Sequence, residues 1–164
     1  MKKSVLRRLF NRLAHVLARS LPGSTGVRPF LHRLRGVKIG RNVFIGDDVY
    51  LENEYPEAVE IHEGAQIGIR AILLAHTRGP GHLIVEKDAY IGPNVVVAAS
   101  GGQTLRIGEG AVISAGVVVT TNVAPRMFVV NTAAKAVAEA RIPLARAESV
   151  EEFTRGLVPI KRNP

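Results

Sequence analysis

The sequence predicts an all-β solenoid, a chain wound into stacked coils, on two observations. An aliphatic residue returns every sixth position in four runs: Ile39, Ile45 and Leu51; Ile61, Ile67 and Leu73; Val85, Ile91 and Val97; Ile107, Ile113 and Val119. Six-residue recurrence fits neither the helical period of 3.6 nor the two-residue alternation of a simple strand, but it does fit a short strand and a corner repeated around a column. The second observation is the spacing between runs. They start at 39, 61, 85 and 107, so the intervals of 22, 24 and 22 residues exceed three hexads by 4, 6 and 4. The excess fits after the third hexad of each run, at 57–60, 79–84 and 103–106. Every insertion then falls at one corner, where repeat proteins build binding faces.

Three segments are expected: an N-terminal basic amphipathic helix with its connector (1–35), the solenoid (36–130) and a C-terminal cap and tail (131–164). With 164 residues, 46% of them hydrophobic and only 5% aromatic, the chain suits one narrow prism whose interior takes branched and small side chains. No cysteine is present, which removes disulfides, zinc–thiolate sites and a cysteine nucleophile, and is compatible with the cytoplasm. No apolar run approaches the roughly 18 residues of a spanning helix. Arg7, Arg8 and Arg12 interrupt any signal-peptide core.

The net charge of +8 is unevenly placed. Residues 1–41 hold eleven of the 22 Lys and Arg and none of the 14 Asp and Glu, so the remainder, with the other eleven cations, is net negative by 3. Within the basic end, Leu6, Leu9, Phe10, Leu13, Val16 and Leu17 recur at helical spacing, and Pro22 and Gly23 close the segment. Two roles follow for this helix: its stripe packs on the solenoid as a cap, or residues 1–20 attach to the anionic inner face of a membrane. Nucleic acid is not an expected partner, since the solenoid lacks interleaved basic and aromatic residues. After Val123 the hexad pattern stops. The alanine-rich stretch 133–140 suggests a short helix or irregular cap, Ser149 an N-cap ahead of Glu151 and Glu152, and 158–164 a mobile tail.

The units Ile39-Gly40-Arg41-Asn42-Val43, Ile45-Gly46-Asp47-Asp48-Val49, Ile91-Gly92-Pro93-Asn94-Val95 and Ile107-Gly108-Glu109-Gly110-Ala111 resemble the hexapeptide repeat of the left-handed β-helix acyltransferases, over about 36–138. The resemblance implies a left-handed parallel β-helix, an exception to the right-handed crossover rule, and a homotrimer with active sites between subunits. It also implies acetyl-CoA as co-substrate. Leu34-Arg35-Gly36-Val37-Lys38-Ile39-Gly40, the Glu54-Tyr55-Pro56-Glu57 turn, the loop 76–82 and Glu152-Phe153-Thr154-Arg155-Gly156-Leu157 resemble the members linked to polysaccharide biosynthesis. That likeness implies a saccharide or nucleotide-sugar acceptor.

Chemistry is expected at the corner. His76 is the fourth residue of the hexad starting at Leu73, just before the longest insertion, and Glu54, Ser100 and Asn122 fill the same slot in other coils. Coils stack about 4.8 Å apart, which would set Glu54 below and Ser100 above His76. In the family that the chain resembles, a histidine so placed takes the proton from the acceptor hydroxyl or amine as it attacks the thioester. His76 is therefore the expected base and Glu54 its orienter, with Asn53, Glu57 and Glu60 competing for that space. Asn53 and His82 are the expected acceptor contacts; the bland reading of His76 is a loop histidine packed at a trimer contact. His62 reads as structural, and His15 and His32 show no role.

Ile113-Ser114-Ala115-Gly116-Val117-Val118-Val119-Thr120-Thr121-Asn122-Val123 resembles the family segment Ile-Gly-Ala-Gly-Ser-Val-Val-Thr-Lys-Asp-Ile along which pantetheine lies. This implies CoA contacts at Ala115, Thr120 and Thr121, with threonine at 121 replacing the usual lysine. Asn131-Thr132-Ala133-Ala134-Lys135-Ala136 stands where the family has Gly-Val-Pro-Ala-Lys-Pro, so Lys135 retains the cation. The reading is direct acyl transfer without an acyl-enzyme. Backbone N–H groups at the corner would stabilise the oxyanion. The alternatives are a non-catalytic trimeric scaffold or partner subunit, and a γ-carbonic anhydrase-like metal enzyme. The latter needs three convergent histidines, and the spacing of His62, His76 and His82 does not match that family, so no metal is expected.

Overall fold

The computed structural model describes residues 5–132, 136 and 138–160. The chain divides into two units, Met1–Asn131 and Thr132–Pro164. The first contains four full coils of parallel β-solenoid. Its first coil is β1 (Lys38–Ile39), β2 (Phe44–Ile45) and β3 (Tyr50–Leu51), and its second is β4 (Val59–Ile61), β5 (Gln66–Ile67) and β6 (Ile72–Thr77). The third is β7 (His82–Val85), β8 (Tyr90–Ile91) and β9 (Val96–Ser100), and the fourth is β10 (Thr104–Ile107), β11 (Val112–Ile113) and β12 (Val118–Val119). The hexad pattern runs one step further than its sequence signature: Val123 bridges to Ile107, and Val129 in β13 (Phe128–Val129) pairs with Ile113.

The sixfold aliphatic residues are the register of the column. Ile39, Ile61, Val85 and Ile107 stack in one sheet, Ile45, Ile67, Ile91 and Ile113 in the second, and Leu51, Leu73, Val97 and Val119 in the third. All but Ile39 are buried, and the residues two positions earlier, such as Ala65, Ala71, Ala89 and Val95, point inward beside them. Each strand is short because a corner follows at once. The slot after the aliphatic residue is tight: a Cβ on Gly68 would lie 2.7 Å from backbone of the next coil, so glycine is required there.

The insertions share one corner, as the spacing predicts, between the third and first sheets. The inserted residues nearest the following strand belong to it, because Val59, Leu83 and Leu105 turn into the core.

Two helices precede the column. α1 (Val5–Ser20) is the expected helix, but the connector also contains a helix, α2 (Val27–Arg35). Pro29 sits in the first turn of α2, where no N–H is needed, and Gly36 closes it in the left-handed conformation at φ 112°. The packing of α1 is the reverse of the one that the capping role expects. Its buried residues are Asn11, Ala14, His15 and Ala18, whereas Leu6, Leu9, Leu13 and Val16 are 79%, 65%, 59% and 52% exposed. Small alanines let α1 approach closely, the His15 ring meets Tyr50 edge-on with centroids 4.7 Å apart, and Arg19 Nε donates to Asp48 at 2.8 Å.

The second unit pairs β14 (Ala138–Ala140) antiparallel with β15 (Leu157–Pro159). Residues 138–140 are thus strand where helix or irregular cap was expected, and 157–159 are strand at the start of the expected tail; 133–135, 137 and 161–164 lie outside the described residues. α3 (Val150–Arg155) begins as predicted, with Ser149 Oγ accepting from the Glu152 N–H at 3.1 Å.

Candidate active site

His76 lies near the end of β6 at the insertion corner, with its side chain 36% exposed. Its Nδ1 is 2.5 Å from Oε2 of Glu52, whose side chain is fully buried. The carboxylate at His76 is therefore Glu52 and not Glu54. The ladder of β3 and β6 pairs Leu51 with Leu73, and β3 ends there, so residue 54 lies beyond the paired strand. The Glu52 side chain turns inward at the end of β3 and reaches along the chain. Its Oε1 accepts the N–H groups of Glu54 at 2.8 Å and Tyr55 at 3.1 Å, and Oε2 also accepts the Ala75 N–H at 2.9 Å.

These contacts fix the charge state of Glu52. Burial alone would raise its pKa, but the bonds from His76, Ala75 and Tyr55, with the charge of His76, outweigh burial and hold it below the ordinary carboxyl value. An ionised carboxylate only accepts hydrogen bonds, so Nδ1 of His76 carries a hydrogen and Nε2 is the basic nitrogen. Among the described residues nothing hydrogen-bonds Nε2, and the Tyr55 ring stands edge-on to the imidazole with centroids 5.9 Å apart. A nitrogen base oriented by a buried anion is the outcome.

Behind Glu52, α2 supplies the support. Arg35, itself buried, donates through Nη2 to the carbonyls of Leu51 at 3.2 Å and Glu52 at 2.6 Å, and to Asn53 Oδ1 at 3.3 Å. Burial lowers its pKa to about 10, while Tyr50 and Glu52 pull the other way, so it remains a cation at neutral pH. Its Nη1 donates to His32 Nδ1 at 2.8 Å, which marks His32 as neutral. His32 and His15, residues with no role visible in the sequence, are both buried against this cluster. Burial, followed by the Arg35 charge, pushes each pKa down to about 3.

Above His76 the chain is bulged. Leu74 pairs with Ala98, but Ser100 pairs with Thr77, so β6 carries one extra residue there and Ser100 is not the partner of His76. Thr77 Oγ1 donates to the Ala99 carbonyl at 2.7 Å. The following loop packs on the loop of the next coil: a Cβ on Gly81 would come 2.4 Å from the Ser100 carbonyl oxygen, and the Gly102 N–H donates to the Pro80 carbonyl at 2.8 Å.

The other expected residues are dispersed. Asn53 is held by Arg35 next to Glu52. His82 begins β7, exposed, with its N–H on the Gln103 carbonyl, and its ring makes no hydrogen bond among the described residues. Thr120 and Thr121 line a groove of about 380 Å³ with Asn122, Met127 and Phe128, and Gln103 Nε2 ties that groove to the insertion corner through the Thr120 carbonyl at 3.0 Å. Ala115 is exposed on a turn that does not line this groove, and Lys135 lies outside the described residues. Among the described residues no group of three or more His, Asp or Glu could hold a metal ion.

The slot of Glu52 in the repeat does not distinguish it in the sequence. Glu52 fills the slot after the aliphatic residue, held by glycine at 40, 46, 68, 92 and 108. Glu86 fills the same slot after Val85 and stays partly exposed on Arg106, so the slot by itself does not send a carboxylate inward; the donors around Glu52 do.

Three curated relatives are the 2,3,4,5-tetrahydropyridine-2,6-dicarboxylate N-acetyltransferases of Staphylococcus aureus strains JH9, JH1 and Mu3. Each is 31% identical to the chain over 80 residues, 49% of this chain and 31% of the relative. The chain thus spans about a third of the length of the curated relatives it matches. No family model matches the chain. No solved structure matches it.

Proposed function

We propose that the chain is a hexapeptide-repeat acyltransferase that moves an acetyl group from acetyl-CoA to a hydroxyl or amine of a small polar metabolite. The observation that carries this reading is the 2.5 Å contact between His76 and a fully buried Glu52 at the corner where the insertions gather. The likeness to acetyltransferases supports the same reading. Nε2 of His76 accepts the acceptor's proton as its oxygen or nitrogen attacks the thioester carbonyl carbon. The carbon–sulfur bond then breaks, and the imidazolium returns the proton to the departing thiolate. Glu52 holds the ring orientation and stabilises the imidazolium meanwhile. Direct transfer is the simpler route, because the chain has no cysteine to carry an acyl group.

The groove beside Thr120 and Thr121 is the proposed path of the CoA arm. A saccharide or nucleotide-sugar acceptor rests on the resemblance of a few turns alone. A homotrimer is supported by large apolar side chains left outward on the solenoid, among them Phe44, Ile69, Tyr90, Val118 and Phe128. A cytoplasmic setting is supported by the absence of cysteine.

The test is thiol release from acetyl-CoA against a panel of small amines, hydroxy acids and sugars. His76→Ala is expected to lower transfer at least about a hundredfold, with acetyl-CoA binding by calorimetry unchanged. Normal turnover in that variant would remove His76 from the reaction.

A further inference from the structure

α1 shows its apolar side chains to the outside. Val5, Leu6, Leu9, Leu13 and Val16 are each more than half exposed, and Phe10 and Leu17 continue the stripe. At 100° per residue the stripe spans about 140° of the helix circumference. Asn11, Ala14, His15 and Ala18 occupy the opposite side and pack inward. The inward face is already occupied: His15 packs on Tyr50 and His32, and Arg19 at the end of the helix pairs with Asp48, so the stripe is not a misplaced core. α2 adds exposed Val27, Phe30 and Leu34, at spacings of three and four residues.

Charge identifies the partner. Residues 1–41 contain eleven Lys and Arg and no Asp or Glu; of these, Arg19, Arg28, Lys38 and Arg41 pair with carboxylates of the solenoid. Arg8 and Arg12 lie on one flank of the stripe, both on exposed positions of α1, with no acidic partner among the described residues. Two copies meeting through this face would bring two such cationic segments together, which is unfavourable. An anionic lipid surface instead offers phosphates to the arginines and acyl chains to the stripe. No described helix is long and apolar enough to cross a membrane, and the 16 residues of α1, about 24 Å long, suit a helix lying in the interface plane.

We propose that the outward face of α1 docks the protein on an anionic bilayer, with Leu9 and Leu13 entering the acyl boundary and Arg8 and Arg12 meeting lipid phosphates. This placement is independent of the catalytic reading.

The test is co-sedimentation of the full chain with vesicles of equimolar phosphatidylglycerol and phosphatidylcholine, and with phosphatidylcholine alone. Sedimentation is expected with the anionic vesicles at low salt, to be lost at high salt, and to be absent with phosphatidylcholine. Leu9→Ser with Leu13→Ser should abolish it, and Arg8→Gln with Arg12→Gln should weaken it about tenfold or more. Both double variants should keep the circular dichroism spectrum and the rate of thiol release to a soluble acceptor, which separates docking from catalysis. Failure of the wild-type chain to sediment with anionic vesicles at low salt would overturn the proposal, as would wild-type sedimentation by the Leu9/Leu13 variant. A smaller oligomer in that variant, with no vesicle binding by the wild type, would assign the stripe to a second copy of the chain.

Discussion

Glu52 and Glu54 differ by two positions, and two residues along an extended chain point to the same side. What separates them is the set of donors: the Glu52 side chain turns inward to four, the N–H groups of Glu54, Tyr55 and Ala75 and Nδ1 of His76. The distinction can be measured. Glu52→Gln keeps the volume and removes the charge that stabilises the imidazolium, so kcat should fall by about 10²- to 10⁴-fold with KM for acetyl-CoA retained. Glu54→Gln should change kcat far less. Equal losses in the two variants would return the orienting role to residue 54.

At the scale of elements, the layer of α1 and α2 behind β3 contains the buried polar cluster. His15 and His32 have pKa values of about 3, against about 6.5 in an unfolded chain. The unfolded chain therefore binds more protons between those limits. Their contribution to stability is fully present above about pH 6.5 and is lost as pH falls toward 3, by up to about 1.4 kcal/mol per pH unit for each ring. Glu52 acts with the same sign lower down: its stabilising effect is present above about 4.5 and disappears as pH falls through its folded value. The urea midpoint should accordingly drop between pH 7.5 and 5. His15→Leu should flatten that dependence by one proton, and because it removes two buried ring nitrogens without hydrogen-bond partners it should not lower stability at pH 7.5. An unchanged midpoint across this range would contradict the burial of the two imidazoles.

For the molecule as a whole, stability resides in the aliphatic ladders of the solenoid. Ile67 is fully buried between Ile45 and Ile91, so Ile67→Ala should cost about 2–5 kcal/mol in urea unfolding. Val129, half-buried at the last coil, should cost less on truncation, because it has a neighbouring coil on one side only. Comparable losses at the two sites would argue against a column stabilised by nearest-neighbour stacking. The corner that holds His76 depends on this column: it is where three coils return, and the ladders set the stacking that brings Glu52, Ala75 and the Gly81 loop into contact.

The sequence by itself determined the column, its register, the corner of insertions, the histidine at that corner and the Ser149 cap, because each depends on neighbours a fixed number of residues apart. The tertiary structure alone decided which carboxylate meets His76 and which face of α1 turns inward. The first depends on which side chain turns inward at the end of β3 and reaches donors on the next coil, which a repeat pattern does not contain. The second depends on which surface offers the better fit to a helix that has two usable faces. There, alanines and a histidine matched Tyr50 and Asp48, and the apolar stripe was left outward.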